Sequence, residues 1–173
     1  MPVLRVLCLF ALMTTGSLAR DAAPQRQVVE QKLLHLRSGM EREWSEFPET
    51  PTSQRLDATF SSRKNSAEQT LLVWQEDVKQ VWNVLLNGKR LGELVRDEND
   101  MIVTFAIPAS TLVDGENALR IESPSSSKDT SDDIRVGQIA IQERPVFESL
   151  REATVEIEVV DADTKKPLPG ARR

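Results

Sequence analysis

His35 is the only imidazole in the 173-residue chain and Cys8 the only thiol, which sets narrow bounds on the chemistry available. A catalytic zinc needs several histidine, cysteine or carboxylate ligands, and one histidine with one cysteine cannot supply the usual set. A serine triad would have to use His35 as its base, yet no serine lies in a Gly-x-Ser-x-Gly turn. His35 itself, within Leu33-Leu34-His35-Leu36-Arg37, reads as a partly exposed strand or helix residue rather than a ligand. No glycine-rich phosphate loop is present. Acidic residues are numerous enough for a glycosidase-type carboxylate pair, but a sequence does not fix their separation.

Two kinds of binding chemistry remain. Trp44, in Glu43-Trp44-Ser45-Glu46-Phe47, lies outside the clear strand patterns and is the candidate to stack on the apolar face of a sugar, with core packing as the competing reading. Trp82 shares parity with Val84 and Leu86, and Trp74 with Leu72, so both are expected in the core. The acidic clusters Asp97, Glu98 and Asp100, and Asp129, Asp132 and Asp133, offer the oxygen donors of a structural calcium, against the simpler reading of solvated turn residues. No other cofactor is expected.

Arg5 followed by an apolar run over residues 6–13 and by Ser17-Leu18-Ala19 predicts a signal peptide over residues 1–19, cut before Arg20. The run is too short for a membrane-spanning helix, which needs about 20 residues. The expected product is secreted or periplasmic, free of the membrane and without a thiol, since Cys8 leaves with the signal. Removal of Arg5 changes 22 basic against 27 acidic residues into 21 against 27. An acidic chain of this kind is a poor partner for nucleic acid or anionic lipid.

The positioning elements follow from periodicity. Residues 20–32 read as a linker with some helical spacing in Val29, Leu33 and Leu36. Beyond it, short runs of period two recur about every dozen residues, which predicts an all-β antiparallel sandwich. Leu56, Ala58 and Phe60 share a face, as do Met101, Val103, Phe105 and Ile107, and then Leu119 and Ile121. Residues 70–74 and 81–86 are apolar on both faces and predict central strands. Parity flips between Ile134 and Val136 on one side and Ile139 and Ile141 on the other, predicting a β-bulge at Gly137. Asn87-Gly88 predicts a two-residue hairpin, Asp114-Gly115-Glu116-Asn117 a second turn and Asn99-Asp100 a third, and residues 123–131 an exposed loop.

Asp77-Val78-Lys79-Gln80, Trp82, Leu86-Asn87-Gly88-Lys89-Arg90-Leu91-Gly92, Ile107-Pro108 and Gly115-Glu116-Asn117-Ala118-Leu119 together resemble galactose-binding-like jelly-roll domains. Asp97-Glu98-Asn99-Asp100 and Asp132-Asp133-Ile134-Arg135-Val136-Gly137 are similar to the N-terminal module of secreted bacterial CehA/McbA-type metallohydrolases. The resemblance covers residues 33–144 and implies an accessory, spacer or carbohydrate-binding domain without an active site. The alternative it implies is one part of a metal-dependent hydrolase whose catalytic domain lies downstream. After a connector at residues 145–152, Val155, Ile157 and Val159 alternate with Glu156 and Glu158. With Asp161-Ala162-Asp163 and Pro167-Leu168-Pro169-Gly170, residues 153–173 look like the opening of a carboxypeptidase-regulatory-like, immunoglobulin-type domain, so the chain is expected to be the truncated leading part of a longer protein. A strand at residues 154–160 must pack on the first domain, pair with another chain or fray.

Overall fold

The computed structural model describes residues 26–124, 131–151 and 163–164. The signal segment, Asp129 and residues 153–162 and 165–173, on which the expected second domain rests, lie outside the described residues.

Within them the alternating runs become eight strands: β1 (Arg26–Arg37), β2 (Arg55–Ser62), β3 (Gln69–Glu76), β4 (Asn83–Leu86), β5 (Lys89–Glu93), β6 (Met101–Ile107), β7 (Gly115–Glu122) and β8 (Asp133–Gln142), followed by a single-turn helix α1 (Val146–Ser149). Two four-stranded sheets face each other, ordered β1-β8-β3-β6 and β2-β7-β4-β5. The antiparallel pairs β1·β8, β2·β7, β3·β6 and β4·β5 are those of one long hairpin rolled into a sandwich, with β3·β8 and β4·β7 closing the sheets. This is jelly-roll winding. Its apex is the Asn87-Gly88 turn, where φ of 51° and 75° match the twist of the flanking strands.

The core is the inner face of both sheets: Leu36, Leu71, Val73, Ile107, Ile134, Val136, Ile139 and Ile141 from one, Leu56, Val84, Leu86, Leu119 and Ile121 from the other, with Trp82 between them, all essentially inaccessible. Burial on this scale is the main stabilising term, at roughly 1.5–3 kcal/mol for each large aliphatic side chain. Gln75 is an exception on the inner face. Its amide donates to the Val95 carbonyl at 2.5 Å and accepts from the Val95 N–H at 3.0 Å, so it stands in for a strand and ties down the 94–100 connection. At the hairpin-apex end, buried Asn117 accepts from the amide of exposed Asn87 at 2.8 Å, and buried Asn65 accepts from Leu112 N–H while donating to the Pro108 carbonyl.

Three expectations need correction. The linker ends earlier than expected, because β1 begins at Arg26; two register shifts between Val28 and Leu33 break its alternation, and that irregularity imitates helical spacing. Trp74 is half-buried on the outer face of the first sheet instead of lying in the core, since the inward positions of β3 are Leu71, Val73 and Gln75. The strand expected over 81–86 is shorter, Asn83–Leu86, with one face buried and the other half-buried. The expected bulge does occur at Gly137: Leu72 pairs with Ala140, but Trp74 pairs with Gly137. Gln138, with φ of 45° and an exposed side chain, carries the extra residue.

Candidate ligand cleft at the loop end of the sandwich

Strand alternation places Ile134 and Leu36 toward the core, so their neighbours His35, Arg37, Asp133 and Arg135 point to the outer surface of the first sheet. Polar side chains there would ordinarily be solvated. Here the 38–54 connection folds back over them, and His35, Arg37 and Asp133 are buried.

Asp133 organises this burial. Its Oδ1 accepts from His35 Nε2 at 2.5 Å and from Arg37 Nε at 2.7 Å, and its Oδ2 accepts from the Glu43 N–H at 2.7 Å. The Glu43 carboxylate in turn accepts from the Asp133 N–H at 3.2 Å. Arg37 also donates from Nη1 to the Glu49 carbonyl at 2.9 Å and from Nη2 to the Pro48 carbonyl at 3.0 Å. Burial works to raise the Asp133 pKa, but the Glu43 N–H, Arg37 and His35 outweigh it and hold the carboxyl below the ordinary aspartate value.

Asp132 keeps the inward parity of Ile134 and does parallel work beneath. Its Oδ2 accepts from Trp82 Nε1 at 2.8 Å and from the Gln80 N–H at 3.0 Å, and its Oδ1 faces the Lys79 N–H at 3.3 Å. The adjacent aspartates therefore clamp different loops, Asp133 the 38–54 connection and Asp132 the 77–82 connection.

Between these clamped loops opens a cleft of about 450 Å³ lined by Trp44, Glu46, Phe47, Asp77, Lys79, Glu98 and Arg135. Phe47 is its buried floor, with its ring stacked on His35 at 4.9 Å and the Arg135 guanidinium at 4.7 Å from its centroid. Trp44 stands at the rim, 54% exposed. Its carbonyl accepts from the Phe47 N–H at 3.2 Å, closing a tight turn that leaves the indole outside and the phenyl ring inside. Arg135 bonds Glu76 at 2.9 Å and lies 3.8 Å from Asp77, while Lys79 lies 3.5 Å from Glu43 and 3.9 Å from Asp77. Asp77 sits between the two cations in left-handed backbone, φ 61°, held where its N–H meets the Glu98 carbonyl and the Val78 N–H meets the Asp97 carbonyl. Burial is the largest influence on its carboxyl and pushes the pKa up, Lys79 and Arg135 oppose this, and Glu76 and Glu98 reinforce it.

Of the candidate calcium ligands, Asp129 lies outside the described residues. The Asp132 and Asp133 carboxylates each accept from three N–H donors, and both residues are buried instead of being solvated turn residues. Asp97 lies elsewhere and accepts from the N–H and side chain of Asn99, at 2.8 and 2.9 Å, which lowers its pKa. Glu98 faces the cleft and Asp100 is exposed. Among the described residues no three histidine, cysteine, aspartate or glutamate side chains converge as a metal-binding group. His35, expected to be partly exposed, is 8% exposed because Phe47 covers it.

The roles of Asp77, Lys79 and Arg135 in the cleft were not read from the sequence, because Asp77 and Lys79 lie on the 77–82 connection and Arg135 on β8, more than 50 residues away. One signal was available: Asp132 shares parity with Ile134 and Val136, and a carboxylate on a core-facing position must be hydrogen-bonded. A larger cleft of about 800 Å³ at the opposite end, lined by residues 61–69 with Gln27 and Glu143, contains no aromatic side chain and offers no stacking surface. Compared with known proteins by sequence, the chain matches no protein-family model and no curated protein.

Proposed function

We propose that this sandwich is an exported, non-catalytic binding module that takes carbohydrate in the Trp44 cleft, in the manner of galactose-binding-like domains, and serves a hydrolase domain as its accessory. The observation that carries this reading is the indole of Trp44, half exposed at the rim of a cleft whose walls hold fixed cations and carboxylates. An exposed indole stacks on the C–H face of a pyranose, while Asp77, Glu98, Lys79 and Arg135 bond its hydroxyls. Because each cation already faces a carboxylate, these groups are oriented before a ligand arrives, which reduces the ordering cost of binding. The sole histidine is enclosed by Asp133, Arg37 and Phe47 and is out of reach of a substrate, so we assign the domain no catalytic role of its own.

The test is a glycan array on residues 20–173, with Trp44→Ala beside it. The expected result is saturable binding to a defined glycan class, weakened roughly 30-fold or more in the variant, equivalent to about 2 kcal/mol for a stacking hot spot. EDTA is expected to leave binding unchanged. Near-UV circular dichroism dominated by the buried Trp82 checks that the variant is folded. An array without binding, or binding indifferent to Trp44→Ala, would remove carbohydrate recognition and leave a spacer.

A further inference from the structure

The sheet that carries Arg135 runs on past the cleft. Alternation turns Glu76, Trp74, Leu72 and Thr70 of β3 to the outer face of the first sheet, together with Ile102, Thr104 and Ala106 of β6. The register sets them in rows. Glu76 pairs with Arg135, which lines the cleft; in the next row Trp74 lies between Gly137 and Ile102, and beyond it Leu72 lies between Ala140 and Thr104. Trp74 is therefore two residues along β3, or about 7 Å, from the row that borders the cleft.

The two outer faces differ in character. On the second sheet the outward positions carry Arg55, Asp57, Arg120 and Glu122, with Asp57 paired to Arg55 at 2.6 Å and to Arg120 at 2.7 Å. On the first sheet, past Glu76, the outward positions of β3 and β6 carry no charge: Trp74, Leu72 and Thr104 are half-buried and Ile102 is 60% exposed. The far end is closed where α1 rests on β3 and β6, with Ser149 Oγ bonded to the buried Thr70 Oγ1 at 3.0 Å. From Glu76 to Thr70 the strip is roughly 20 Å long, and the spacing of β8, β3 and β6 makes it about 10 Å wide. An area of roughly 200 Å² is a quarter of what each partner buries in a standard protein interface, about 800 Å². It suits a single extended chain. An extended peptide gains no strand pairing here, because β3 is already paired on both sides. A sugar chain needs only apolar faces to lie on, and an indole supplies one.

We propose that the ligand is an internal stretch of a polysaccharide, with one unit held at Trp44 and the chain continuing over Trp74 and Leu72 toward α1. This rests on the carbohydrate reading of the Trp44 cleft and adds to it a second stacking residue. Trp74 then determines the preference for long chains over short ones, since units beyond the cleft add contacts without a second association cost.

Calorimetric titration with disaccharides and hexasaccharides of cellulose, xylan, mannan and galactan tests this. The hexasaccharide of the class that binds is expected to bind at least about 10-fold more tightly than its disaccharide, and Trp74→Ala to bring the two within about threefold by weakening only the longer one. Trp44→Ala is expected to weaken both. The unmodified chain gives the same decision by NMR, where each of the three tryptophans contributes one indole N–H signal. The Trp74 signal is expected to move with the hexasaccharide and to stay in place with the disaccharide. Equal affinity for the two lengths, a length preference that survives Trp74→Ala, or a Trp74 signal unmoved by the hexasaccharide overturns the proposal and leaves the Trp44 cleft as a site for a chain end. Binding at neither length removes the carbohydrate reading itself, and this proposal with it.

Discussion

Replacing Asp133 with asparagine is expected to destabilise the domain by about 3–5 kcal/mol, the range for breaking a buried, hydrogen-bonded charge pair. The carboxylate accepts three bonds at 2.5–2.7 Å, from His35, Arg37 and the Glu43 N–H. Asparagine keeps one acceptor oxygen and puts an NH₂ where the other was, facing an N–H donor, and leaves the buried Arg37 guanidinium without its counter-charge. Urea denaturation at neutral pH measures the loss. A cost below about 1 kcal/mol would show that the 38–54 connection is held by its other contacts.

The same substitution has a pH signature whose sign follows from the depressed pKa. Asp133 in the fold releases its proton at lower pH than in the unfolded chain, where an aspartate titrates near 3.9. Between those values the unfolded chain binds more protons, so stability rises with pH across that window. The contribution is complete above the unfolded value and is lost as pH falls through the folded one. Asp57, bonded to Arg55 and Arg120, is also lowered, but it is half exposed and its share is screened by solvent. The difference between wild-type and Asp133→Asn stability is therefore expected to shrink as pH falls below about 4. A difference that stayed constant would assign the destabilisation to packing instead of charge.

The Asp133 network also explains how much of the site could be read in advance. Trp44 was legible as a residue outside the strand pattern, and its exposure agrees with that position. The core was legible too, because Val103, Phe105, Ile107, Leu119 and Ile121 alternate without interruption and alternation is a local property. What makes the cleft is not local. His35 and Asp133 are 98 residues apart, and each sits at an outward position that alternation alone would assign to solvent. Only the return of the 38–54 connection buries them, and its anchors include Arg37 bonds to the carbonyls of Pro48 and Glu49 and the Glu43 N–H bond to Asp133, contacts to backbone to which side-chain identity gives no clue. β1 was obscured for a related reason, since extra residues in a bulged strand erase the period of two that would announce it.

Gly137→Ala is the second substitution with a large expected effect, about 3 kcal/mol or more. A Cβ built on Gly137 would lie 2.0 Å from the Lys32 carbonyl oxygen and 2.9 Å from Leu33 Cα. All of the atoms in the way are backbone, so no rotamer change relieves the overlap, and β1 must move off β8. Its φ is not positive, so the penalty is one of space and not of backbone conformation. The opposing gain from stiffening the unfolded chain, about 0.4–1 kcal/mol, is too small to compensate. Gly88→Ala is the matched control: its φ of 75° strains a side chain, but nothing lies within 4 Å, so a cost of about 1 kcal/mol is expected. Because His35 and Arg37 belong to β1, displacement of that strand also releases Asp133 and the turn that carries Trp44. Urea denaturation of both variants, with hydrogen exchange across β1, measures the effect. A Gly137→Ala cost no larger than that of Gly88→Ala would mean that the Lys32 carbonyl yields easily, and that the bulged stretch of β1 is soft enough to move without disturbing the cleft.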